Sequence, residues 1–147
     1  MRYKHVLAAV DVTEEAGQVL AMAREVADEH KAKLSILTVV KPLTHVYGGL
    51  DMVSSTQISV NFEEEAKAQA KVQVQAMAAE QGVDGEEVHV SVGSPVTQIV
   101  DSAERMGADL IVTGSHGKHG LGLMLGSTAN GVLHRANCDV LTVRIKD

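Results

Sequence analysis

Short runs of apolar residues recur along the chain, and each ends at a polar or glycine-containing stretch. Such runs are typical of strands buried on both faces of a parallel sheet, and the stretch Val88–Val92 instead alternates apolar and polar residues, which also predicts a strand. The predicted strands are Val6–Val10, Leu34–Val40, Val88–Val92, Leu110–Thr113 and Val140–Arg144. Four helices are predicted. Apolar residues at helical spacing indicate one after Thr13 and one over Pro95–Met106, the Ala, Glu, Lys and Gln content indicates Phe62–Gln81, and a last helix is expected over Ser127–Ala136. This alternation predicts a single α/β domain, residues 1–147, in which helices cover both faces of a parallel sheet.

Local signals mark the ends of these helices. Thr13 is predicted to cap the first helix, because Glu14 and Glu15 follow it and suit the positive end of a helix dipole. Gly107 is predicted to end the helix that begins at Ser94-Pro95. Residues 41–60 hold Pro, Gly and Ser residues, which predict a long loop with room for a short helix.

The composition excludes several classes of protein. No stretch of about 18 consecutive apolar residues exists, so no membrane insertion is expected. Cys138 is the single cysteine, which rules out an internal disulfide and favours a reducing, cytoplasmic compartment. The net charge of −6 argues against nucleic acid as a partner.

The charge is unevenly distributed. Residues 1–113 carry nine Lys/Arg and 17 Asp/Glu, whereas residues 114–147 carry four Lys/Arg and two Asp/Glu, together with three histidines. An anionic ligand would therefore meet the least repulsion near residues 114–147. Chance among so few charges is the alternative interpretation.

A glycine-rich stretch from Gly114 to Thr128 begins where the fourth predicted strand ends and finishes where the last helix begins. In open α/β sheets, ligands bind at this position. Gly114 and Gly117 carry no side chains, so the backbone there could approach a sugar or phosphate closely. Gly126, Ser127 and Thr128 place backbone N–H groups and two hydroxyls at the positive end of a helix, which favours anions. A tight connection without a ligand is the alternative.

The sequence does not match the common motifs for phosphate binding, dinucleotide binding, phosphoacceptor chemistry or metal binding. Gly117-Lys118 is followed by His119, so the P-loop pattern is not met, and the dinucleotide glycine fingerprint does not follow the first strand. A phosphoacceptor role for Asp11 would require a second aspartate after the third strand, where the chain has Gly93. The His and Cys residues do not have metal-ligand spacing, and no metal site or catalytic residue is predicted.

The chain resembles the universal stress protein family over its whole length. The resemblance is carried by Gly-x-x-Gly followed by Gly-Ser after the fourth strand, and by four blocks of sequence. These blocks are Lys4–Asp11, Gly107–Gly117, Leu125–Asn130 and Cys138–Arg144. The resemblance implies a Rossmann-like open sheet of five strands in the order 3-2-1-4-5. It also implies a homodimer that pairs the edge strand Val140–Arg144.

The resemblance further implies an adenine-nucleotide site, with ATP or AMP as the ligand and Mg²⁺ as a counter-ion. Adenine and ribose are expected at the end of the first strand, adenine also at Val39 of the second strand, and ribose at Gly114 and Ser115. Phosphates are expected at Gly117 and at the start of the last helix, Gly126–Thr128. The implied binding residues are Ala9, Val10, Asp11, Val39, Thr113, Gly114, Ser115, His116, Gly117, Gly126, Ser127 and Thr128. The family pattern has nine residues between its second and third glycines. Here Gly117 and Gly126 enclose eight, which leaves the number of bound phosphates open.

Three functions remain open at this stage. The first is a nucleotide-binding regulatory module of the stress response, whose output is a partner interaction or a change in residues 41–60. The second is a slow ATP hydrolase or nucleotidyl-transfer enzyme, in which His116, Lys118 and His119 stabilise phosphate charge. The third is a dimeric stress protein with an empty crevice.

Overall fold

Five parallel strands form one sheet in the order β3-β2-β1-β4-β5, as expected. The structure is a computed structural model that describes residues 2–42, 56–83, 86–115 and 126–146. The strands are β1 His5–Val10, β2 Lys33–Val40, β3 Glu87–Val92, β4 Leu110–Gly114 and β5 Asp139–Val143. The helices are α1 Ala16–His30, α2 Thr56–Glu80, α3 Pro95–Met106 and α4 Ser127–Arg135.

The strands alternate their side chains between two apolar layers, because successive residues of a strand point to opposite faces. Val6, Ala8 and Val112 pack on one face, against α1 and α2. Leu7 and Ile111 pack on the other face, against α3 and α4. Both faces of the central strands are therefore buried, which explains why β1 and β4 are formed from continuous runs of mostly apolar residues.

Two helix starts differ from the sequence-based expectation. Helix α1 begins at Ala16, and the Thr13 hydroxyl donates to the Asp11 carboxylate, so Thr13 is not the cap. A short side-chain hydrogen bond to a neighbouring residue competes with capping in this way. Helix α2 begins at Thr56, so the prediction of a loop over 41–60 is wrong for residues 56–60. The rest of that stretch, residues 43–55, lies outside the described residues.

Helix α3 follows its predicted boundaries. Ser94 is its N-cap residue, and Pro95 occupies the first turn, where no N–H donor is needed. Gly107 ends the helix with φ +72°, and its backbone N–H donates to the carbonyls of Ala103 and Glu104. Only glycine adopts this left-handed conformation without strain, so Gly107 is a genuine C-terminal cap.

Helices α3 and α4 approach each other closely at one glycine. A Cβ placed on Gly131 would lie 2.7 Å from Val96 Cγ2 and 3.2 Å from Val96 Cγ1. Since carbon atoms are comfortable at about 3.5–4.0 Å, no side chain fits at this crossing without displacing α4 or Val96. Gly131 thus sets the position of α4, whose first turn belongs to the candidate site.

Candidate functional site

The two central strands β1 and β4 lie side by side, and the chain leaves their carboxyl ends toward opposite faces. After β1 it enters α1, which covers one face, and after β4 it proceeds to α4, which covers the other. The last described pair between these strands is Ala8 with Val112. Connections that part in this manner leave a crevice at the carboxyl edge, where α/β proteins bind ligands.

The end of β1 supplies one wall of this crevice. Ala9 is buried on the α3–α4 face, Val10 is half-buried against the α1–α2 layer, and Asp11 is exposed beyond the strand. The hydrogen bond from Thr13 Oγ1 to Asp11 Oδ1 orients the carboxylate at the edge of the sheet. The carbonyl of Thr13 in turn accepts the Ala16 N–H at 3.0 Å, which fixes the turn between β1 and α1.

The end of β2 presents a backbone carbonyl toward the crevice. Val40 O accepts the N–H of Gly93 at 3.0 Å, so the Val40 carbonyl points away from β1. Successive carbonyls of a strand point in opposite directions, and that of Val39 therefore points toward the β1 side. Because β1 pairs with β2 only as far as Val10 with Thr38, the Val39 carbonyl lies beyond the last paired residue of β1.

The segment that follows β5 packs over the end of β4. Thr113 is buried, and a Cβ on Gly114 would lie 3.2 Å from Ile145 Cδ1 and 3.3 Å from Val19 Cγ2. The Ser115 N–H donates to Val143 O at 2.7 Å, and Ser115 Oγ accepts the N–H of Ile145 at 3.1 Å. Gly114 is thus small because Ile145 packs over it, a reason that the glycine pattern alone did not reveal.

The first turn of α4 faces the same edge. Gly126 precedes the helix in an extended conformation, and its N–H donates to Ser115 O at 2.6 Å, which joins the two ends of the glycine-rich stretch. Ser127 is exposed and Thr128 is half-buried. The first turn contains no acidic residue, and its N–H groups lack partners within the helix. This end of α4 therefore attracts an anion.

Most of the predicted binding residues lie at this one edge. The structure places Ala9, Val10, Asp11, Val39, Thr113, Gly114, Ser115, Gly126, Ser127 and Thr128 at the carboxyl ends of β1, β2 and β4 or at the start of α4. His116 and Gly117 lie outside the described residues. Contact of any of these residues with a nucleotide stays a prediction.

Sequence reasoning missed Thr13, Gln18 and Ile145 as neighbours of this edge. The pair Asp11 and Thr13 gives a local signal, since a hydroxyl two residues after an aspartate often bonds to it. Gln18 and Ile145 give no such signal, because their partners Lys146 and Ser115 are 128 and 30 residues away.

Two structural searches concern the described part of the chain alone. Within residues 2–42, 56–83, 86–115 and 126–146, no group of three or more His, Cys, Asp or Glu side chains is arranged to hold a metal ion. Among the same residues, none of the helices has the length and apolar character that crossing a membrane requires.

Comparison with known proteins gives a consistent result. The model of the universal stress protein family matches residues 2–144. Universal stress protein A homolog 1 of Coxiella burnetii is 37% identical over 147 residues, which cover 100% of both chains. The structure of UspA from Lactobacillus plantarum superposes with a TM-score of 0.75 at 29% identity, covering 98% of this chain and 99% of that one. A universal stress protein solved in complex with cAMP has a TM-score of 0.63 at 26% identity, with 97% and 98% covered.

Proposed function

The chain belongs to the universal stress protein family, and on that premise we propose that it binds an adenine nucleotide, ATP or AMP, at the carboxyl edge of β1, β2 and β4. One observation carries the proposal. The exposed Asp11 after β1 and the first turn of α4, which favours an anion, lie at the same carboxyl edge, where the connections of the two central strands part. The cAMP complex of a relative that is 26% identical adds support for this class of ligand.

The geometry suggests a part for each wall. The Asp11 carboxylate accepts hydrogen bonds from the ribose hydroxyls, since an ionised carboxylate is an acceptor only. The carbonyl of Val39 accepts from the adenine amino group. Ser127, Thr128 and the free N–H groups of α4 hold phosphate oxygens, with each charge at such a helix end worth roughly 0.3–1 kcal/mol when exposed. Mg²⁺ would serve as a counter-ion to these phosphates.

In this proposal the protein is a regulatory module of the stress response that acts in the cytoplasm as a homodimer. β5 is an edge strand, and its half-buried Val140, Leu141 and Val143 lie where a second copy could pair with them. An apolar edge with unpaired backbone groups is a hazard unless it is covered. Sedimentation at micromolar concentration should show a dimer, and a monomer would contradict this part of the proposal.

The bound nucleotide can be identified directly. We expect the freshly purified protein, when denatured, to release ATP, ADP or AMP at close to one per chain, as measured by mass spectrometry. If nothing is released, titration with ATP and AMP decides. A ligand that binds the native state alone stabilises it by RT ln(1 + [L]/Kd), about 2.7 kcal/mol at a hundredfold excess over Kd. An unchanged melting temperature at millimolar concentrations of both nucleotides would refute the proposal.

A matched pair of variants localises the site. Asp11→Ala removes the proposed ribose acceptor, and we expect it to raise Kd at least tenfold, because hydrogen bonds to a charged group contribute about 1.5–3 kcal/mol. Asp101→Ala removes an exposed carboxylate from the middle of α3 and should leave Kd unchanged. Equal affinities of the two variants would place the ligand elsewhere. Steady-state phosphate release by the wild type would favour the hydrolase alternative.

A further inference from the structure

The segment that follows β5, Arg144–Lys146, contacts the carboxyl edge of the sheet; we call it the post-β5 segment. The side-chain amide of Gln18 pairs with the backbone of Lys146. Its Nε2 donates to Lys146 O at 2.6 Å, and its Oε1 accepts the Lys146 N–H at 2.9 Å. We call these two hydrogen bonds the clamp. Between the clamp and β5, Ile145 is buried over Gly114 and Val19.

Ser115 links the post-β5 segment to the glycine-rich stretch by hydrogen bonds. The N–H of Ile145 donates to Ser115 Oγ, while the backbone carbonyl of Ser115 accepts from Gly126, the residue before α4. A hydroxyl oxygen that accepts one hydrogen bond still has its own hydrogen to donate. Ser115 thus accepts hydrogen bonds from Ile145 in the post-β5 segment and from Gly126 before α4, and its own O–H can donate to a ligand.

We propose that Gln18 is a positioning residue of the nucleotide site, which acts by holding the post-β5 segment against Ser115 and thereby fixing the entry of the glycine-rich stretch. The proposal rests on the nucleotide binding proposed above. It implies that any partner that draws the post-β5 segment away from α1 lowers nucleotide affinity. The edge strand β5 and the binding crevice would then be coupled through Ser115, which touches both Val143 and Gly126.

Gln18→Met tests the proposal, since methionine has a similar length and apolar stem but cannot hydrogen-bond to Lys146. We expect it to raise the Kd for AMP and ATP at least threefold. We also expect faster amide hydrogen exchange at Ser115 and Gly126 in the nucleotide-free protein. Two controls should behave as wild type. Glu25→Met introduces the same residue at an exposed position of α1, and Lys146→Ala retains the backbone groups that Gln18 binds.

A chain that ends at Arg144 provides a second variant, because it lacks Ile145 and Lys146 altogether. It should show a larger rise in Kd and faster exchange at Gly126 than Gln18→Met. If wild type binds nucleotide and both variants bind it equally well, the positioning role is refuted while the proposed function stands. If wild type binds neither AMP nor ATP in titration, both proposals fail together. Unchanged exchange at Ser115 and Gly126 in both variants would also overturn the positioning role.

Discussion

Replacing Gly131 by alanine tests whether the close approach of α3 and α4 sets the position of the helix that begins the site. In Gly131→Ala the new methyl group would lie 2.7 Å from Val96 Cγ2. Relief of that contact to about 3.5 Å requires a shift of about 0.8 Å in α4 or in the Val96 side chain. Overpacking of this kind costs about 1–3 kcal/mol.

Helix propensity opposes this cost. Alanine in a helix interior is favoured over glycine by about 1 kcal/mol, so Gly131→Ala should destabilise the protein by about 1 kcal/mol in total. In a Val96→Ala background the clash is absent, and the same substitution should stabilise by up to about 1 kcal/mol. The sign of the effect therefore reverses, with a coupling free energy of about 2 kcal/mol between the two positions.

Urea denaturation followed by far-UV circular dichroism measures these free energies, since the chain has no tryptophan for fluorescence. All variants must be compared at one protein concentration, because a dimer would make stability depend on it. Asn130→Ala, an exposed neighbour in α4, is the control and should shift both backgrounds equally. Additive effects of Gly131→Ala and Val96→Ala would refute the steric argument.

Three further predictions concern other parts of the fold. The pKa of Asp109 is lowered. Burial alone would raise this pKa, but the hydrogen bonds from the backbone N–H groups of His5 and Lys4 outweigh that effect. The ionised Asp109 carboxylate should therefore stabilise the fold above its unfolded pKa of about 3.9, and this stabilisation should be lost as the pH falls further. Asp109→Asn should flatten this acid dependence of the free energy of unfolding, as measured by urea denaturation. Gly107→Ala should cost about 1 kcal/mol in the same assay, because the site is open and φ is +72°, and Gly107→Asn should cost less. Burial, followed by neighbouring carboxylates, raises the pKa of Cys138, so iodoacetamide at pH 8 should alkylate it more slowly in the native state than in urea.

Sequence reasoning succeeded where a local pattern reports directly on burial. β1 and β4 are buried on both faces, so their residues form continuous apolar runs, and each observed strand extends the prediction by one residue. Sequence reasoning was less successful at the starts of α1 and α2, whereas α3 and α4 begin where they were predicted to begin. α2 continues upstream to Thr56 although that stretch lacks strong helix formers, because propagation from the alanine- and glutamate-rich part adds one hydrogen bond per residue fixed.

In the candidate site, too, local sequence predicts some features and not others. The location of Asp11 and Ser127 at this edge could be predicted, since each follows or begins an element whose type the sequence reveals. The reason for a glycine at 114 could not, because it depends on the packing of Ile145, which is 31 positions away in the chain. The amide clamp of Gln18 on Lys146 likewise exists only once α1 and the end of β5 have been brought together.

We propose that an adenine nucleotide binds at the carboxyl edge between β1 and β4. Titration of the ¹⁵N-labelled protein with AMP and ATP, followed by amide chemical shifts, tests it most directly. We expect saturable shifts at Asp11, Ser115 and Ser127, with little change at His5 and Asp139 on the opposite edge of the sheet. The absence of shifts with both nucleotides, or shifts confined to that opposite edge, would contradict it.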